Sequence, residues 1–380
     1  MLYYRQLLRQ PGRIAAFRRA ITQTVRPGDR VLEIGAGLGT YAFFAADAGA
    51  TAVLAVDGHP VIHVAHTVAR LNGYADRVTF VRGWLPAAAP AEPVDVVIFE
   101  DFPARLLDAR VWRLLRDLRR STVAPGARFI PAAARVYVAP VESDRLAAEL
   151  TLDDEITRYG LDWSPAREYV ANRPQYLTVP PEALVESGAQ LATFRLDQAL
   201  PGAAAGGEAV IQVHRRARVN GLAYWFDLDL CDGERVSNHP GEIPASWGQV
   251  FLPLDPALEV VPGSVLRVQV GVGVHADGAP AWLTWDVSTG DAQRRGHEFA
   301  GMPLGLRDLV EASRDGVPQL NAAGRLTADI LGLVDGRRTL GEIASLVANH
   351  GRVPVPEMEP LVLRHLRGRI DSRGLRSGGG

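Results

Sequence analysis

Hydrophobic positions in the first third of the chain recur with two alternating periods. Leu7, Leu8, Ile14, Ala15, Phe17 and Ile21 fall at helical spacing and predict a helical N-terminal segment. Val31-Leu32-Glu33-Ile34 reads as a short buried strand, Tyr41–Ala50 as an apolar helix and Ala52–Val56 as a second strand, closed by Asp57. A helix over Val61–Asn72, strands at Val78–Val81 and Val94–Phe99, and a helix around Val111–Arg120 continue the alternation. Short apolar strands separated by helices imply parallel βαβ units with right-handed crossovers and ligands at the strands' carboxyl ends.

From about residue 141 to 300 the period falls to two. Ala209–His214, Tyr224–Leu228 and Leu266–Val270 alternate between Gly, Pro and Asp turns, which predicts an antiparallel sandwich or barrel. Leu200–Gly206 reads as a loop tip. After Gly301–Gly305 the spacing is helical again. Leu326, Ile330 and Leu333 form one stripe, and Thr339 with Glu342 makes a capping box ahead of Leu340, Ile343, Ala344 and Val347. Met358, Leu361, Val362, His365 and Leu366 form a third stripe. The expected domains are 1–140 (parallel α/β), 141–302 (antiparallel β) and 303–376 (a small helical module).

Composition narrows the chemistry. With 47% apolar and 22% charged residues over 380 positions, the chain can bury a core and is not disordered. A single cysteine, Cys231, excludes an intramolecular disulfide and a cysteine-based zinc cluster, and no metal site is expected. All 41 basic residues are arginine, so no lysine nucleophile or Schiff base exists. A net charge of −2 argues against a general nucleic-acid surface. No apolar run approaches the roughly 18–20 residues of a membrane span, and the N-terminus lacks a signal-peptide stretch. A soluble, cytoplasmic, multidomain protein is expected.

The most informative residues are Glu33-Ile34-Gly35-Ala36-Gly37-Leu38-Gly39, where a strand runs into a glycine turn that opens a helix. Such a turn lets the backbone approach a ligand beside a helix N-terminus. A dinucleotide fingerprint wants glycine at position 40, which is Thr40; the third glycine at 39 and Glu33 before the first favour S-adenosylmethionine over NAD. Asp57, ending the second strand, can accept bonds from both ribose hydroxyls. The alternative for Asp57 is a strand-end turn residue.

The run VLEIGAGLGTYAFFAADAGATAVLAVDGHP resembles the cofactor motif of class I S-adenosylmethionine methyltransferases, specifically the protein arginine methyltransferases. The likeness extends over about residues 1–300. It implies a Rossmann-like methyltransferase domain followed by a β-barrel, with S-adenosylmethionine surrounded by Arg13, Glu33, Gly35, Ala36, Gly37, Gly39, Asp57, Gly58, Gly83, Trp84 and Glu100. Arg13 matches the family arginine that clamps the methionine carboxylate, a pairing natural to a guanidinium. Glu100, in VVIFEDF, matches the first glutamate of the family's double-glutamate loop. Trp84 either stacks on adenine or caps the core. Tyr159–Asp162 resembles the dimerisation arm, Asn220–Asp227 the barrel strand and Ser246–Gln249 the Thr-His-Trp loop; a head-to-tail homodimer is implied.

Departures from the family pattern bear on the acceptor. Its second loop glutamate falls at Ala109, with Asp108 one position short; its helix acid and loop histidine fall at Gln10 and Ser246. His239 is a candidate replacement base. Since a guanidinium wants two flanking carboxylates and an alkylamine one, an amine acceptor is expected. Pro318–Asn321 and Ile330–Ala344 are similar to PqqD-like, winged-helix-like domains that bind leaders of ribosomally made peptides by β-augmentation. Eleven Arg against nine Asp plus Glu over residues 305–376 speak against a DNA-binding version. The expected function is N-methylation of an amine on a ribosomally synthesised peptide, daptide-type dimethylation of a terminal amine being one fitting case. The alternatives are a protein arginine methyltransferase and a noncatalytic peptide- or DNA-binding scaffold.

Overall fold

A computed structural model of the chain describes residues 2–106, 108–150, 158–198, 206–242, 247–305, 317, 319–351 and 354–366. Helices α1 (Leu2–Leu8) and α2 (Pro11–Thr24) replace the single helical segment expected there. The break falls at Gln10, ahead of Pro11, whose fixed φ and missing N–H suit the first position of a new helix.

Strands β1 (Arg30–Ile34), β2 (Ala52–Asp57), β3 (Val78–Arg82), β4 (Val94–Phe99) and β5 (Val123–Ile130) form one parallel sheet in the order β3-β2-β1-β4-β5. Helices α3 (Thr40–Asp47), α4 (Ile62–Leu71) and α5 (Ala109–Ser121) connect them. β1 pairs in register with β2 on one side, Leu32 beside Leu54, and with β4 on the other, Leu32 beside Val97. The winding therefore reverses between β1 and β4, and their carboxyl ends open the crevice where ligands bind in such sheets. β5 was not legible, because Pro125 and Gly126 punctuate it like a turn; as the sheet edge it tolerates a proline.

The change to antiparallel pairing comes at β6 (Ala133–Val141), ahead of the expected boundary at 140. Helices α6 (Asp144–Leu150) and α7 (Arg167–Ala171) precede β7 (Gln175–Leu177). The remaining strands are β8 (Ala189–Arg195), β9 (Gly207–Gln212), β10 (Ala217–Cys231), β11 (Glu234–Ser237), β12 (Gln249–Val260), β13 (Val265–Val274), β14 (Pro280–Thr289) and β15 (Ala292–His297). They make a sheet β7-β12-β10-β6-β8, with β11 as a hairpin on β10, and a second sheet β15-β14-β13-β9. The loop tip expected at Leu200–Gly206 lies, apart from Gly206, outside the described residues. One continuous core runs from Leu32 and Val97 of the parallel sheet to Phe226, Leu252 and Trp285 of the barrel, so both belong to one compact unit, Met1–Pro303.

The second unit, Leu304–Gly380, contains α8 (Ala322–Gly332), α9 (Leu340–Gly351) and α10 (Val355–Leu366). Ile330, Ile343, Ala344, Val347, Met358 and Val362 form its core. The capping box is made: Thr339 N–H donates to Glu342 Oε2 at 2.7 Å and Glu342 N–H to Thr339 Oγ1 at 3.3 Å. Among its described residues there are helices and no strand, so the wing of a winged helix is not among them.

Asn238 follows β11 and bonds to β10 and to Gly248. It is buried; its Oδ1 accepts the Phe226 N–H at 2.7 Å and its Nδ2 donates to the Gly248 carbonyl. Asn238→Ala leaves a buried N–H unsatisfied and should cost about 2–3 kcal/mol of unfolding free energy, measured by urea titration.

Candidate active site

The glycine turn after β1 is the local event on which the site is built. Gly35, Gly37 and Gly39 have φ of +72°, +54° and +77°, a region side chains disfavour. Space also requires them: a Cβ on Gly37 would lie 2.8 Å from the Tyr4 ring and one on Gly39 2.5 Å from Phe80. Gly35 and Ala36 N–H groups donate to the Val56 carbonyl, tying the turn to β2.

Two buried carboxylates support this turn. Glu33 Oε2 accepts the Ala42 N–H at 2.8 Å in the first turn of α3, and burial pushes its pKa up to about 8 despite that bond. Asp57 Oδ2 accepts the Gly37 N–H at 2.8 Å and Oδ1 the His59 N–H at 2.7 Å. A carboxylate offers about four acceptor directions, so Asp57 retains two for further donors.

Across the crevice, Arg13 of α2 forms an ion pair with Glu100, which follows β4. The guanidinium lies 4.0 Å from the centroid of the Trp247 ring and donates to Gln10 Oε1 at 3.2 Å. Burial pulls the Arg13 pKa below its ordinary value, with Tyr41 and Tyr3 opposing that shift. Tyr41 in turn stacks on Phe17 with ring centroids 4.5 Å apart.

One cavity of about 800 Å³ is lined by Arg13, Glu33, Gly35, Ala36, Gly37, Asp57, Gly58, Gly83, Trp84 and Glu100. Trp84 is exposed, its indole lying over Gly58 and edge-on to His59, so it is no core cap. Three expected residues are elsewhere, the first being Gly39, which does not line the cavity. Asp108 is not on this cavity; its Oδ1 accepts the Val111 N–H at 2.8 Å and caps α5, because an aspartate just ahead of a helix satisfies an orphan amide. His239 is not on it either, its ring packing edge-on to Trp225 at 5.0 Å. Ser246 lies outside the described residues. Tyr3 and Tyr4 of α1, Tyr41 and Asp101 also line the cavity. The sequence signals for them were slight: an aromatic pair opening the chain, and an acid directly after Glu100.

The donor set fits a nucleoside amino acid. A carboxylate with spare acceptor directions ends β2, a glycine-rich turn faces the cavity, and a guanidinium lines it too, in a volume within the roughly 300–1,000 Å³ of small-molecule sites. The fold and this crevice define a class I S-adenosylmethionine-dependent methyltransferase.

Comparison with known proteins narrows the class. Residues 132–277 match the model for the arginine methyltransferase oligomerization subdomain, and residues 18–131 that for ribosomal protein L11 methyltransferase. An arginine N(omega)-methyltransferase of Streptomyces achromogenes subsp. streptozoticus is 30% identical over 275 residues, covering 70% of this chain and 74% of that protein. Protein arginine N-methyltransferase 6 of Danio rerio is 25% identical over 261 residues, 64% and 73% of the two chains. Among solved structures, the Trypanosoma brucei PRMT1 enzyme-prozyme complex with AdoHcy superposes with TM-score 0.70 at 21% identity, covering 78% of this chain and 97% of that one. Arabidopsis thaliana protein arginine methyltransferase 10 gives 0.66 at 20% identity, covering 78% and 98%. The chain belongs to the arginine methyltransferase family, and it is an enzyme that uses S-adenosylmethionine.

Glu33 gives the site a measurable pH signature. Between the ordinary carboxyl range and about pH 8 the unfolded chain has ionised this group while the folded protein retains the proton. Its contribution to stability is therefore complete at low pH and declines as pH rises through that window, by at most about 1.4 kcal/mol per unit. Urea midpoints between pH 5 and 8 should fall in the unaltered protein and fall less in Glu33→Gln, which keeps an acceptor for Ala42.

Proposed function

We propose that this enzyme methylates a nitrogen of a cationic acceptor held against Glu100, and that the acceptor is an arginine guanidino group. The observation that carries the reading is Glu100 itself: a largely buried carboxylate at the mouth of the sheet, on the same cavity as the glycine turn, already seating a guanidinium. The names of the relatives, an arginine N(omega)-methyltransferase and protein arginine N-methyltransferases, support the same acceptor.

Bound in the cavity, S-adenosylmethionine would supply a methyl group on a positively charged sulfur. Asp57 would take the ribose hydroxyls on its two spare acceptor directions, and Arg13 the methionine carboxylate. The glycine turn, Ala36, Gly58, Gly83 and Trp84 would form the wall beside the nucleoside. Arg13 pairs with Glu100, and an acceptor N–H would approach the same carboxylate. Glu100 would thus orient the nitrogen and accept its proton, so positioning and electrostatics carry the catalysis.

A second reading keeps the amine of a ribosomally synthesised peptide as acceptor, with the daptide type as a specific case. It is favoured by the absence of Asp108 from the cavity and by Ala109 at the second-acid position, which leave Glu100 without the partner a guanidinium prefers. The helical unit at 322–366 would then hold a leader peptide. A second copy of the chain is the proposed partner of the exposed Tyr159, Leu161 and Trp163 in the segment that resembles the dimerisation arm.

Mass spectrometry after incubation with S-adenosylmethionine separates the acceptors. Methyl groups on arginine side chains or free arginine support the first reading; methyl groups confined to a peptide's terminal amine, with a leader-dependent KM, support the second. In either case Glu100→Gln should lower kcat by roughly 10²–10⁴-fold with little change in S-adenosylhomocysteine affinity. Leu161→Asp should shift the protein toward monomer in sedimentation velocity; an unchanged profile would remove the arm from the assembly.

A further inference from the structure

Glu100 is followed by a second acid on the same cavity. Asp101 is held by Arg110 from the first turn of α5: Nη1 donates to Asp101 Oδ2 at 2.8 Å and Nη2 to the Asp101 carbonyl at 3.0 Å. Both side chains line the cavity, and they are 53% and 47% exposed, so this pair is far less committed than the buried pair of Arg13 and Glu100 beside it. Half-exposed ion pairs of this kind hold weakly and exchange partners readily.

The neighbouring carboxylates have other duties. Glu33 supports α3, Asp57 binds two backbone amides and Glu100 faces Arg13. Asp101 Cβ lies 3.0 Å from the point a side chain on Gly35 would occupy, so this acid stands directly against the glycine turn. Tyr4 registers its charge: burial first, then Asp57, Tyr3 and last Asp101, push that hydroxyl's pKa up to about 12. Two carboxylates thus impose a negative field on one small volume, and Arg110 answers it from the rim.

We propose that Asp101 is an exchangeable seat for a cationic nitrogen: Arg110 holds it here, and an ammonium or guanidinium of a bound ligand takes its place. Two ligands carry such a group, the cofactor through its α-ammonium and the acceptor through the nitrogen to be methylated or one beside it. The idea rests on S-adenosylmethionine occupying this cavity. It also assigns the second acid of the site to the residue adjoining Glu100, where Asp108 and Ala109 supply none. Asp101 is then a binding residue, and Arg110 competes with the ligand for it.

The two partners predict effects of opposite sign, which loss of structure would not produce. Full-length Asp101→Asn and Arg110→Gln are compared with the unaltered protein by calorimetric titration of S-adenosylhomocysteine and of 5′-methylthioadenosine, which lacks the α-ammonium, and by acceptor KM. If the cofactor is the source, Asp101→Asn weakens S-adenosylhomocysteine by about tenfold and leaves 5′-methylthioadenosine unchanged, while Arg110→Gln tightens the former. If the acceptor is the source, the cofactor constants stay put and KM moves, up in Asp101→Asn and down in Arg110→Gln. Shifts in the same direction for both variants, or none beyond about twofold in either constant, overturn the proposal. Failure of the unaltered protein to bind S-adenosylhomocysteine would overturn the cofactor's placement, and the seat with it.

Discussion

A left-handed glycine turn held by buried carboxylates is the constraint from which the site follows. Gly35, Gly37 and Gly39 can adopt their backbone angles only without side chains, and the turn stays in place because Asp57 binds the Gly37 amide and Glu33 the Ala42 amide. The cost is a carboxyl group buried at 3% exposure, which raises the pKa of Glu33. The return is a crevice whose floor is backbone, positioned where the winding of the sheet reverses between β1 and β4.

The barrel completes what the parallel sheet begins. An aromatic chain runs from Phe99 to Phe102 at 4.6 Å, to Phe226 at 6.4 Å and on to Trp247 at 5.3 Å, and Trp247 lies against Arg13. The guanidinium opposite the glycine turn is therefore held through barrel residues more than 200 positions away in sequence. Bidentate contact of Arg19 with Glu234, at 2.5 and 2.8 Å, ties α2 to the β10–β11 hairpin as well. The parallel sheet and the barrel share one core and so form one unit.

Family membership and site composition bear differently on the acceptor. The relatives' names point to arginine, whereas Asp108, one position short of where the family's second acid falls, caps α5 and lies off the cavity. That tension is physical. The Asp108 carboxylate is bound by the helix that begins beside it, where an aspartate satisfies an orphan amide.

What the sequence by itself determined is what depends on local periods and local backbone: the strands through β4, the glycine turn, the acid ending β2, Glu100 at the mouth of the sheet, and the Thr339 capping box. Hydrophobic alternation and glycine chemistry act within a few residues, so they are written in consecutive letters. β5 escaped because an edge strand tolerates the Pro125-Gly126 pair that elsewhere ends a strand. Tertiary structure alone decided which polar groups meet. It set Trp247 on Arg13, kept Asp108 and His239 off the cavity, packed Tyr4 on the glycine turn, and left Asp101 on the cavity beside Glu100. Those outcomes follow from burial and hydrogen-bond satisfaction between distant segments, a balance no local pattern encodes.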